Sequence, residues 1–138
     1  MRVMGLDLGT VTCGVALSDP TGFLASPVTT VRFESEDYET ACAKVLELVN
    51  EHKPGKIVLG LPKHMNGDEG VRAQASKAFK AMLEEQCDVP VILWDERMTT
   101  MFAQQELIFA DVSRKKRKKV VDQVAAVRIL QSYLDSVR

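Results

Sequence analysis

At 138 residues, 46% hydrophobic and with a net charge of −1, the chain has material for one compact domain spanning 1–138, and its bulk charge does not mark it as a polyanion binder. No apolar stretch reaches membrane-spanning length and Met1-Arg2 runs straight into a strand pattern, so no membrane partner is expected and a cytoplasmic location is. The three cysteines, Cys13, Cys42 and Cys87, are widely spaced with no C-x-x-C pair, which argues against a disulfide framework or a zinc site and for reduced structural thiols.

The first element is the apolar run Val3-Met4-Gly5-Leu6-Asp7-Leu8, closed by Gly9-Thr10, which reads as a strand buried on both faces. Val11 to Leu17 gives a second strand, and Ser18-Asp19-Pro20-Thr21-Gly22 supplies turn chemistry before a third, Phe23 to Val31. Short links between the three predict an antiparallel meander, edged or interrupted at Pro27, which cannot donate to a ladder. From Tyr38 to His52 the apolar period becomes helical, and Pro54-Gly55 stops that helix. His52, at its C-terminus, reads as a dipole or capping partner. Lys56 to Pro62 is a short buried strand, followed by a polar loop through Asn66-Gly67-Asp68. Val71, Ala75, Ala78, Phe79, Met82 and Leu83 mark a second helix, and Val91 to Trp94 another buried strand. A helix capped by Thr99 or Thr100 is expected to reach Ala110. The block Arg114-Lys115-Lys116-Arg117-Lys118-Lys119 reads as an exposed, mobile loop. After it, Val120, Val124, Val127, Leu130, Leu134 and Val137 form the stripe of a last helix. The order βββ-α-β-α-β-α-α predicts an α/β domain: a mixed central sheet, with a three-strand antiparallel meander plus two parallel strands, flanked by helices.

An ionised carboxylate at Asp7 is costly in a buried strand unless a cation, a base or several donors meet it. Two further acids fall at element ends, Glu96 beyond the strand Val91 to Trp94 and Asp122 near the start of the last helix. If the first and last strands are parallel neighbours, Asp7 and Glu96 can meet, although adjacent Asp95 competes because alternation sends the two acids to opposite faces. Ala125, Ala126 and Ile129 would let the helix backbone approach the sheet and bring Asp122 toward Asp7. Three converging acids form an oxygen-only site suited to Mg²⁺ or Mn²⁺, and such a cluster fits in-line phosphodiester hydrolysis without a side-chain nucleophile. The competing reading makes these acids structural: Glu96 paired with Arg97, and Asp122 with Lys118 or Lys119. Six cations beside an acidic site favour a nucleic-acid or phosphate contact over a merely solvated loop. Lys63 and His64 belong to a loop able to reach substrate phosphate, Arg97 is expected to contact phosphate, and Thr99 to hold the start of the following helix. The alternative is an Arg97–Asp95 ion pair with Thr99 as a plain cap.

Gly5-Leu6-Asp7-Leu8-Gly9-Thr10, Gly60-Leu61-Pro62 with Asn66-Gly67, Asp95-Glu96-Arg97 with Thr99, and Val121-Asp122 with Ala125-Ala126 together resemble the bacterial YqgF family, also called RuvX, over essentially the whole chain. The resemblance implies a ribonuclease H-like fold related to the RuvC resolvases. It implies Asp7, Glu96 and Asp122 as the catalytic and metal-binding set, with Glu96 rather than Asp95. It also implies an endonuclease that processes the 5′ end of precursor 16S ribosomal RNA or cleaves branched DNA. One departure stands out: many ribonuclease H-like nucleases carry a fourth acid near the last one, whereas here Lys118, Ala125 and Ala126 occupy the neighbouring turns, which leaves one metal or two open: either the second position is poorly filled and activity weak, or substrate phosphates complete it.

Two other functions share these residues. A catalytically silent RNA-binding factor for ribosome assembly would keep the acids as structure. The opening motif also resembles the phosphate loop of the actin and hexokinase superfamily, in which Gly9 and Thr10 would cradle a nucleotide phosphate through backbone donors. Neither monomer nor homodimer is selected, although a resolvase cutting both strands of a junction favours a two-fold dimer.

Overall fold

The computed structural model describes residues 1–62, 70–96 and 114–137, the last segment as backbone from 114 and with side chains from 124. In chain order the elements are β1 (Val3–Leu8), β2 (Thr12–Ser18), β3 (Ala25–Arg32), α1 (Tyr38–His52), β4 (Lys56–Leu61), α2 (Val71–Gln86), β5 (Val91–Asp95) and α3 (Arg114–Ser136). The expected helix from Thr99 or Thr100 to Ala110 lies outside the described residues. One five-stranded sheet has the order β3-β2-β1-β4-β5. The meander is antiparallel, with Asp7 opposite Gly14 and Met4 opposite Leu17, while β4 pairs parallel to both β1 and β5. The mixed sheet expected from the element order is therefore present.

Two details of the meander follow from single residues. Gly9 N–H donates to the Thr12 carbonyl at 2.7 Å and closes the β1–β2 turn. β3 is an edge strand in which Ala16 pairs with Pro27 and Val15 with Thr29, so the register shifts by one residue there. An edge with a bulge is where a residue lacking an N–H is tolerated.

Alternation along each strand divides the core in two. Met4, Leu6, Leu8, Cys13, Val15, Ile57, Leu59 and Val91 pack under α1 and α2 with Val45, Val49, Phe79 and Leu83. On the opposite face Val3, Ala16 and Val58 pack under α3 with Ala126, Ile129, Leu130 and Leu134. Trp94 belongs to this second layer, its ring edge-on to Tyr133 at 5.5 Å and its indole N–H donating to Ser132 Oγ at 3.1 Å.

α1 ends as its sequence predicts, with Asp37 accepting from Thr40 N at its start and Lys53 in the left-handed conformation (φ 50°) at its end. His52 in its last turn lies 3.6 Å from Glu51. α3 corrects the sequence reading. The basic block is no loop, because the helix begins at Arg114 and carries all six cations in its first two turns. Lysine and arginine are good helix formers, and a block continuous with the apolar stripe extends the helix despite its own repulsion. Among the described residues no helix is long and apolar enough to cross a membrane.

Candidate active site

Asp7 lies on the face of Val3 and Gly5, beneath α3, next to the carboxyl end of β1. Glu96 follows β5 directly and continues the face of Ile92 and Trp94, whereas Asp95 takes the face of Val91 and Leu93. Alternation thus puts Glu96, not Asp95, on the side of Asp7 and α3.

The condition under which Asp7 and Glu96 would meet directly, β1 beside β5, is not met, since β4 separates the two strands. At a strand spacing of about 4.8 Å the two acids start roughly 10 Å apart. Gly60 of β4 closes that gap. A Cβ on Gly60 would stand 2.8 Å from the Glu96 carboxyl carbon and 2.9 Å from its Cγ, so the Glu96 side chain folds across the bare glycine toward Asp7. The two carboxyl groups are hydrogen-bonded. Burial first, and the Asp7 charge second, raise the Glu96 pKa from 4.5 to about 8, while Arg72 opposes the rise. Two acids sharing a proton bring oxygen donors and unrelieved negative charge to one point, which fits a hard divalent cation.

Asp122 enters through the packing of α3. A Cβ on Gly5 would stand 2.7 Å from Leu130 Cβ and 3.1 Å from the Ala126 carbonyl oxygen, so helix and strand touch almost backbone to backbone. The approach expected of Ala126 is present. From there α3 runs antiparallel to β1, with Leu134 reaching Val3 at the far end. Four helical residues rise about 6 Å and two strand residues about 6.6 Å, so Asp122 stands near the level of Asp7. Its side chain lies outside the described atoms, as do those of Arg114, Lys115, Lys116, Arg117, Lys118 and Lys119. Lys63, His64, Arg97 and Thr99 lie outside the described residues. Among the described residues no group of three metal-ligating side chains occurs.

Thr10 sits in the β1–β2 turn and its carbonyl accepts from Glu36 N–H at 2.8 Å. Gly9 N–H is taken up by Thr12 in the same turn, so one of the two donors expected of a nucleotide-cradling loop is already used. Cys13, Cys42 and Cys87 are free thiols; burial, and the nearby Asp7 charge, raise the Cys13 pKa far above its ordinary value.

One residue at the site escaped the sequence reading. Arg72, the second residue of α2, donates from Nη2 to the Leu8 carbonyl at 2.8 Å and brings positive charge to Glu96. Its signal was position, because the start of a helix that follows a parallel strand lies at the carboxyl edge of the sheet. The apolar stripe of α2 drew attention to its other face.

A five-stranded mixed sheet flanked by helices is the fold of the RuvC-type resolvases. RuvC of Thermus thermophilus in complex with a Holliday junction substrate superposes with a TM-score of 0.64, covering 99% of this chain and 96% of that one at 14% identity. The chain belongs to the RuvX family, described as Holliday junction resolvase, whose model matches residues 1–136. A relative from Bacillus subtilis, provisionally named pre-16S rRNA nuclease, is 53% identical over 99% of both chains. A hexokinase of the ROK class from Thermus thermophilus shares the fold over 75% of this chain and 38% of its own, with a TM-score of 0.51 and 24% identity.

Proposed function

We propose that the chain is a divalent-metal-dependent endonuclease acting on structured nucleic acid, with precursor 16S ribosomal RNA as its favoured substrate and branched DNA as a second. The hydrogen-bonded Asp7–Glu96 pair carries this reading. Nothing in a purely structural role requires two carboxyls to be brought across an intervening strand into repulsion, and the glycine that lets them meet is part of the same arrangement. The relative at 53% identity favours ribosomal RNA through its name.

Asp7, Glu96 and Asp122 would hold Mg²⁺ or Mn²⁺, which when bound supplies water activation and charge stabilisation for phosphodiester hydrolysis. Asp7 and Glu96 set the position of the attacked phosphate relative to the sheet edge. The cations Arg114 to Lys119 neutralise flanking phosphates. Their location supports this role, because six positive charges at the positive end of a helix dipole are mutually and dipolarly unfavourable until an anion arrives. Lys63, His64, Arg97, Thr99 and Thr10 are assigned to substrate contact.

Cleavage of a panel of stem-loop RNAs and four-way DNA junctions with Mn²⁺, comparing the parent with Asp7→Asn and Asp122→Asn, tests the reading. Metal-dependent cleavage by the parent and its loss in both variants is the expected result. Binding without cleavage by all three proteins would instead support the silent assembly factor.

A further inference from the structure

Arg72 reaches the acidic site from α2. Its Nη2 donates to the Leu8 carbonyl, one residue beyond Asp7, at 2.8 Å and lies 3.8 Å from the point where a Gly9 Cβ would sit. Its charge acts on the Glu96 carboxyl, yet the residue is solvent-exposed. A tie between α2 and β1 alone would need only one N–H, and a guanidinium carries five in a rigid fork. That fork matches a phosphate through two parallel hydrogen bonds, and a carbonyl that holds one nitrogen orders it in advance. Charge points the same way. Two carboxyls face an incoming polyanion at this edge, and Arg72 is the cation beside them among the described residues.

We infer that Arg72 binds the non-bridging oxygens of the nucleic-acid phosphate brought to the Asp7–Glu96 pair, with the Leu8 carbonyl fixing its guanidinium. The inference rests on the nuclease reading and adds a phosphate anchor to it.

Binding of a four-way DNA junction, measured across a salt series without divalent metal, tests the contact. Arg72→Ala is expected to lower the logarithmic salt slope by about 0.7 to 0.9, the loss of one phosphate contact, and to slow Mn²⁺-dependent cleavage at least roughly tenfold, a barrier change of about 1.4 kcal/mol. Arg72→Lys keeps the charge without the fork and should recover the slope but not the cleavage rate. A parental slope in Arg72→Ala, or a parental cleavage rate in Arg72→Lys, overturns the inference. If the alanine variant is unstable, Arg72→Gln, uncharged but still a donor, is held to the same slope criterion. Asp7→Asn separates the two levels: if it cleaves like the parent, the assignment of cleavage to the Asp7–Glu96 pair fails. If it is inactive while Arg72→Ala keeps parental slope and rate, only the phosphate anchor fails.

Discussion

Gly60 and Glu96 compete for one volume: a Cβ on the glycine would lie 2.8 Å from the glutamate's carboxyl carbon. The same Cβ would lie 2.7 Å from Ile129 Cδ1. Both obstacles are ends of side chains that can swing aside. Gly60→Ala should therefore cost only about 1 kcal/mol of stability, the low end for overpacking. Displacing Glu96 from Asp7 should cost more than tenfold in cleavage. Thermal denaturation run beside the cleavage assay checks the split, and equal losses in both would mean Gly60 serves packing alone.

Gly5 behaves oppositely, since its neighbours are Leu130 Cβ and the Ala126 carbonyl, which cannot rotate away. Gly5→Ala must lift α3 from the sheet. We expect a loss of about 2–3 kcal/mol and a fall in Tm of roughly 5–10 °C, larger than for Gly60→Ala. Denaturant unfolding of the two variants side by side gives the ranking.

The Glu96 proton links stability to pH. Its pKa is raised from 4.5 to about 8 in the fold, chiefly by burial and then by Asp7, so between those values the folded state binds more protons than the unfolded one. Stability is fully present below pH 4.5 and is lost as pH rises toward 8. Glu96→Gln should abolish that slope and be more stable than the parent at pH 8 in chelator. Asp7→Asn, by removing the opposing charge, should reduce it. Melting curves from pH 5 to 9 in EDTA read this directly; a parental slope in Glu96→Gln would assign the dependence elsewhere.

Exchanging Lys115, Lys116 and Arg117 for alanine should act on two measurements in opposite directions. RNA and DNA binding should weaken with little sequence preference, and the logarithmic salt slope should flatten by up to roughly 0.7–0.9 for each lost phosphate contact. The free protein should hold its stability or gain a few tenths of a kcal/mol, because alanine favours the helix and three charges leave its positive end. A salt series and a melting curve on one preparation suffice, and unchanged affinity with unchanged slope would reduce the block to solvated helix.

Much of the fold was legible because periodicity and turn residues agree. α1 runs Tyr38–His52 as its apolar spacing predicts, and β1 occupies the run that holds Asp7. The candidate acids were legible too, as charges in apolar surroundings. What sequence could not supply was strand order. Alternation lets Asp7 meet Glu96 if β1 and β5 are parallel neighbours, whereas the fold brings them together over a glycine in the strand between, a residue whose meaning depends on what crosses it. The start of α3 was missed for a related reason: a run of cations looks self-repelling in isolation, while helix propensity and continuity with Val120 onward decide its conformation. Arg72 was missed because a polar residue at a helix start gives no periodic signal.

Trp94 is the chain's single tryptophan, two residues before Glu96, with its indole bonded to Ser132 and its ring against Tyr133 of α3. The molecule therefore carries its own fluorophore at the seam between the sheet and the C-terminal helix. Its emission should shift when α3 undocks and respond when a divalent ion displaces the proton shared by Glu96 and Asp7, so unfolding and metal titration can both be followed optically without attaching a label.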